Sequence, residues 1–454
     1  MKLVRFSLCV ILFALLISAC SLPTPDITET TTSSAEALLF SRYMAIGDNI
    51  TAGYQSAALT KIHQEYSFPA LIARQANNTG FMQPLLGYPG LGSESFAGFG
   101  ILELIYLDNP NTPNTINPDP LIRPAAFADY PDFKPLFDPY YSSDIRNYPL
   151  PYNNLGIPGI FVKDVIYGIT AINSSSKSPL IDVVLRNPAA GNLSAFEQAK
   201  AFVPSIITCW IGTYDVLPYA LFGGVDGAPL PTSKNDFFIA YAELIDSLAN
   251  IVPKLGPNLP SLFAANIPDI TRAPFFNTIP PVVLDTLTNA PLLDANGNPI
   301  PLVGVNPQTD LILNTARQAF RSGKGIPAGV LNGTGEPLPD QFFLDAAEIG
   351  LIRSTIEDYN DAIMRICAFR GVTLVDMHAF FNVISESGYE AGGIRFTDNF
   401  ITGSFYSLDG IHPTDLGNAL IANQWLDKVN RTFNISVPKV DIVKLVRELG
   451  PKSR

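Results

Sequence analysis

Histidine and cysteine are scarce in this chain, with three of the first and four of the second in 454 residues. So few of either leaves little material for a metal cluster or a disulfide framework. A histidine general base would have to be His63, His378 or His412. Charge is sparse too, at 15% of residues, and one-sided: 29 basic against 41 acidic residues give a net charge of -12. No basic cluster relieves that balance, which repels phosphate backbones and excludes nucleic acid as the main partner. Beyond the first 20 residues there is no run of 18 apolar residues, so no membrane-spanning helix is expected in the body of the protein. Apolar and turn-forming residues are plentiful instead: 47% are hydrophobic and 11% aromatic, with 39 Pro and 33 Gly. Such a chain is too apolar to be disordered and can bury a large core.

The N-terminus reads Met-Lys-Leu-Val-Arg, then an apolar run from Phe6 to Ile17, then Ser18-Ala19-Cys20. A positive start, an apolar run about half as long as a membrane span and small residues before a cysteine predict a cleaved secretory signal over residues 1–19. Ile17-Ser18-Ala19-Cys20 resembles the bacterial lipobox, which implies that Cys20 is lipidated and anchors the protein to a membrane. The residues up to 37 begin rich in Thr, Ser and Pro and read as a flexible tether. By the sorting rule of enteric-type bacteria, Ser21 rather than Asp after the cysteine points to the outer membrane of a Gram-negative envelope. Cys9 leaves with the signal, so Cys209 and Cys367 alone remain as thiols, both in apolar runs that predict buried free cysteines.

Strand-like segments at Leu39–Ile46, Ser205–Ile211, Ser261–Ile267 and Val372–Val375 alternate with helical patterns, which predicts an α/β domain over residues 38–435 and a tail over 436–454. The clearest helix spans Ala346 to Phe369: Asp345 and Glu348 have capping-box spacing, and Gly371 stops it. Two insertions interrupt the pattern. Residues 80–152 carry Phe127, Tyr130, Phe133, Phe137, Tyr140, Tyr141, Tyr148 and Tyr152 near their end, too many aromatics for a free linker, so a cap over the domain or over a pocket is expected. Residues 270–344 contain Asp294-Ala-Asn296-Gly297-Asn298, a hairpin turn rather than a calcium loop, because Val305 stands where an EF-hand needs Glu. Arg321-Ser322-Gly323-Lys324-Gly325 is likewise a turn, lacking the outer residues of a phosphate loop.

His412 lies in Asp409-Gly410-Ile411-His412, where an Asp three residues before a His can accept from imidazole Nδ1 and leave Nε2 for a substrate. The first strand runs into Gly47-Asp48-Asn49, and Asn153-Asn154-Leu155-Gly156-Ile157-Pro158-Gly159 and Gly212-Thr213-Tyr214-Asp215 lie between. In this order the four segments resemble the sequence blocks of the SGNH/GDSL hydrolase superfamily, most closely its bacterial lipoprotein branch with Pro-rich insertions. That resemblance implies a flavodoxin-like three-layer α/β/α sandwich and an ester hydrolase or acylhydrolase site, with no cofactor and no metal. It assigns Asp409 and His412 as orienter and base, and Gly159 as an oxyanion donor. Two positions depart from the family pattern: Asn49 stands at the nucleophilic serine, and Tyr214 at the oxyanion asparagine.

An amide has no ionisable proton near neutral pH and cannot act as an alkoxide, and one lost oxyanion donor costs about 10²- to 10³-fold. The leading expectation is a degenerate cleft that binds an acyl, lipid or glycan ligand. A second is hydrolysis by water or a displaced nucleophile activated by His412, and a third is docking to an outer-membrane protein. As a displaced nucleophile Ser56 is expected on the helix after residue 49, about two turns away; Ser93 and Ser95 form no nucleophile elbow. His63 and His378 lack ligand partners in sequence and are expected to be structural.

Overall fold

A computed structural model describes residues 34–92, 97–111, 119–130, 151–187, 191–254, 261–286 and 288–450. The signal segment, Cys20, the tether up to residue 33, Ser93, Ser95 and the aromatic residues 133–148 lie outside the described residues.

The core is a five-stranded, all-parallel sheet. Helix α1 (Ser34–Phe40) leads into β1 (Tyr43–Gly47), the four-residue α2 (Asn49–Ala52) and α3 (Phe68–Gln75). Then come β2 (Asn154–Gly156), β3 (Ile206–Trp210), α4 (Lys234–Ile251) and β4 (Leu262–Ala265). The chain closes with α5 (Ala346–Arg370), β5 (Thr373–Val375), α6 (Met377–Glu386), α7 (Asp415–Phe433) and α8 (Ile442–Leu449). The strand order β5-β4-β3-β1-β2 is the flavodoxin-like 2-1-3-4-5 arrangement, in which the connections reverse between β1 and β3 and leave a crevice beyond their carboxyl ends. Near-continuous burial of Tyr43–Gly47, Ile206–Trp210 and Leu262–Ala265 explains why these strands read as apolar runs rather than alternating patterns. Helices flank the sheet in two groups, α3 against α7 and α4 against α5. Beneath the crevice Phe68 stacks on Trp425 with ring centroids 5.6 Å apart, and Trp210 meets Phe381 edge-on at 5.9 Å. Such buried rings anchor the sheet-to-helix layers by about 2–3 kcal/mol each.

The capping box of α5 forms as its spacing predicts, with Gly371 in the left-handed region at its end. The first strand starts later than expected, because Leu39 and Phe40 close α1, and Ser41 turns the chain before Tyr43. Strand β2 carries no apolar run to announce it; it is three residues long and begins with Asn154, whose amide donates to Thr51 O at 2.8 Å. Both edges of the domain are wider than expected. Glu36 accepts from Ser436 N at 2.6 Å, and Asn423 and Asn430 clamp the backbone at Val440 and Val437, so the extended segment 436–441 is held against the domain and leads into α8.

Asp294 Oδ1 accepts from Asn296 N and Asn298 N, closing the hairpin turn of the second insertion, which has its own small core around Val283, Ile312, Phe320 and Ile326. In the first insertion a hairpin of Phe99–Tyr106 and Leu121–Ala126 packs Ile101 and Ala125 on Ala58. Cys209 and Cys367 are buried and free, and burial pushes the Cys367 thiol up to about 12.

Candidate active-site cleft

The cleft forms where three strand ends meet. Gly47 ends β1 so close to its neighbours that a Cβ there would lie 2.1 Å from Thr51 Oγ1 and 2.2 Å from Trp210 O; only glycine lets α2 start at once against β3. That places Asp48 and Asn49 at the sheet edge. The chain after β2 is tied to β1 by Ile157 N donating to Gly47 O at 2.9 Å, which brings Gly159 alongside. After β3, Gly212 turns the chain and presents Tyr214, while buried Asp215 accepts from Val162 N at 3.0 Å and Thr232 Oγ1 at 2.7 Å. Burial pushes the Asp215 carboxyl up to about 7 against those bonds.

The loop before α7 delivers His412. Gly410, at positive φ and pressed against Phe275 N, lets Asp409 and His412 face one another. Asp409 Oδ2 lies 2.9 Å from His412 Nδ1 and accepts from Ala57 N at 2.9 Å, while Oδ1 accepts from Ile411 N and His412 N at 2.8 Å each. Burial alone would raise the Asp409 carboxyl, but the His412 charge and these hydrogen bonds outweigh it and hold the group below its ordinary value. An ionised carboxylate only accepts, so Nδ1 carries the proton and Nε2 is the nitrogen left for a cleft ligand. Tyr54 packs edge-on against the imidazole at 5.0 Å.

The opposite wall is closed. Gly159 N donates to Asn49 Oδ1 at 2.8 Å in a buried contact. Because the glycine N–H can only donate, the atom facing it is the amide oxygen, and Asn49 Nδ2 is turned away from it. Tyr214 stands beside them, its Cε1 3.5 Å from where a Gly159 Cβ would be; burial raises its phenol above the ordinary value, with Asp48 adding to the shift. Asp48, Asn49, Tyr214 and His412 all line one cavity of about 30 Å³, whose remaining wall is mainly apolar and includes Ile50, Leu217, Ile270 and Phe381. Gly159 does not reach that wall; Asn49 covers it.

Several expectations need correction. Ser56 is not on a helix, because α2 ends at Ala52 and Gly53 turns the chain; Ser56 and Ala57 sit at positive φ in a tight turn. The Ser56 hydroxyl accepts from Leu408 N at 3.3 Å, and Ser407 Oγ accepts from Ser56 N at 2.9 Å, so Ser56 braces the His412 loop rather than standing free as a nucleophile. His63 does have a carboxylate partner: its Nδ1 lies 3.0 Å from Asp415, 352 residues away in sequence. His378 Nδ1 bonds Ile267 O at 2.9 Å. Among the described residues no group of three or more metal-ligating side chains forms, and none of residues 80–152 lines the cavity; Pro268, Asp269, Ile270 and Ala273, around the start of the second insertion, do. The described hairpin of the first insertion lies behind the Ser56 turn, with Leu102 N donating to Ser56 O at 2.9 Å. The bracing roles of Ser56, Ser407 and Tyr54 were not foreseen from the sequence, since they depend on contacts about 350 residues apart.

A family model described as GDSL-like Lipase/Acylhydrolase matches residues 43–425, from the first residue of β1 to Trp425 in α7. No curated protein matches the chain.

Proposed function

We propose, from the premise that this chain belongs to the GDSL-like lipase/acylhydrolase family, that its cleft binds a ligand without turning it over. The supporting observation is the bond from Gly159 N to Asn49 Oδ1. In acyl transfer that N–H is needed for the developing oxyanion, and here the side chain that replaces the nucleophile already occupies it. One residue thus removes the alkoxide and blocks an oxyanion donor. A cavity of about 30 Å³ takes only a small terminal group, so an acyl, lipid or glycan ligand would insert one end and leave the rest outside. The lipobox-like Ile17-Ser18-Ala19-Cys20 supports a cell-envelope lipoprotein held in a membrane through Cys20 and sorted to the outer membrane. Labelling with a radioactive fatty acid should mark the full chain and fail to mark Cys20→Ala; equal label on both proteins would end the lipoprotein reading.

The Asp409–His412 pair supports a second reading, hydrolysis by a water molecule that His412 activates. A short-chain ester assay separates the two. On the binding reading the unaltered protein and His412→Ala release product at the same background rate; on the hydrolytic reading His412→Ala loses most of the activity.

A further inference from the structure

Asp48 differs from the other carboxyls of the cleft. Asp409 accepts from four N–H groups, and Asp269 lies 3.4 Å from Arg272 and 3.5 Å from Arg353 and accepts from Thr271. Asp48 is 3% exposed and has Oδ2 buried without a hydrogen-bond partner. Among the described residues no Lys or Arg forms an ion pair with it. The titratable groups that sense its charge are His412, Asp215, Tyr214 and Cys209, of which His412 alone can be cationic and already serves Asp409. Burial pushes the carboxyl up to about 7, and His412 with the nearby amides of Ile50 and Thr213 offsets that only in part.

A buried carboxyl without a counter-charge is costly and destabilises the empty cleft. A neutral hydroxyl could satisfy one oxygen but not the charge, and an anion would be repelled. Attack on an ester by the carboxylate itself would need the oxyanion donor that Asn49 covers. A small cation answers the whole arrangement: it neutralises Asp48, fits about 30 Å³, and meets the rings of Tyr214, Phe381 and Tyr406 on the cavity wall. We propose that the ligand of this cleft inserts a compact primary ammonium group that pairs with Asp48. This rests on the reading that the cleft binds rather than hydrolyses.

The test is ligand-observed saturation-transfer NMR and calorimetry on the full chain in detergent, with ethylammonium, ethanol and acetate as probes of similar size. Ethylammonium should bind at least ~10-fold more tightly than ethanol, a difference of about 1.4 kcal/mol, and acetate should not bind. Asp48→Asn should erase the preference; should that variant fail to fold, displacement of ethylammonium from the unaltered chain by ethanol decides, with displacement expected only at large excess. Ethanol binding as well as ethylammonium, or no binding by ethylammonium, overturns the inference. If ethanol or acetate binds while ethylammonium does not, the cleft-binding reading survives without it. If none of the three binds and the unaltered chain hydrolyses a short ester in a His412-dependent way, both fall together.

Discussion

On one wall of the cleft Asp409 accepts from four N–H groups and fixes His412; on the other, a single bond from Gly159 N to Asn49 Oδ1 engages the N–H that the family resemblance assigns to an oxyanion. The first wall is part of the fold. Its carboxylate holds the Ala57 turn and the Gly410 loop together, so the geometry of a catalytic base would persist for structural reasons even without turnover. The second wall depends on the identity of one side chain. A base in good geometry is therefore weak evidence of catalysis, and the state of the donor opposite it is stronger evidence.

The two walls should respond differently to substitution. Asp409→Ala leaves three backbone N–H groups and an imidazole unpaired and should destabilise the protein by about 3–5 kcal/mol in denaturant titrations. Since the Asp409 carboxyl is held below its ordinary value, its stabilisation is present above the unfolded pKa and fades as pH falls through the folded one, so the deficit should shrink in acid. A deficit unchanged across acid pH would show that the carboxylate charge is not what holds the loop.

Asp48 sharpens the contrast with the opposite sign. Its folded pKa of about 7 lies above the unfolded value, so the folded chain retains a proton that the unfolded chain releases, and stability falls as pH rises from about 4 to about 7. Asp48→Asn removes this liability. Its stability relative to the unaltered chain should grow between pH 4 and pH 8 by up to about 4 kcal/mol, read from unfolding midpoints at the two values.

The closed wall can be opened in steps. In an Asn49→Ser background, adding Tyr214→Asn should raise ester hydrolysis by about 10²- to 10³-fold, the effect of one side-chain oxyanion donor. No gain in a folded double variant would mean that Tyr214 displaces more of the cleft than its own side chain. A smaller effect tests the brace behind the base: Ser56→Ala loses a bond to Leu408 N and should cost about 1 kcal/mol in thermal unfolding. Any hydrolysis in the unaltered chain should survive that change, since the brace contributes no nucleophile.

Most strands of the sheet were legible because buried parallel strands are written as apolar runs ending in turns, as at Ile206–Trp210 and Leu262–Ala265. Strand β2 was not, since its three residues are held by Asn side chains and not by hydrophobic pattern. The Asp409–His412 contact was legible because both partners lie within one tight turn. That residue 49 is Asn was visible too, but its contact was not: that Asn49 bonds Gly159 depends on a register between β1 and β2 that spans 110 residues of chain. The partner of His63 and the position of Ser56 were hidden for the same reason, each resolved by contacts some 350 residues distant.

The most direct measurement is the rate of short-chain ester hydrolysis by three folded proteins assayed together: the unaltered chain, Asn49→Ser, and Asn49→Ser with His412→Ala. Serine at 49 both frees Gly159 N–H and supplies a hydroxyl in the cavity that His412 also lines, so Asn49→Ser alone should show activity above background, and the added His412→Ala should abolish it. An unaltered chain as active as Asn49→Ser would contradict a cleft closed by Asn49.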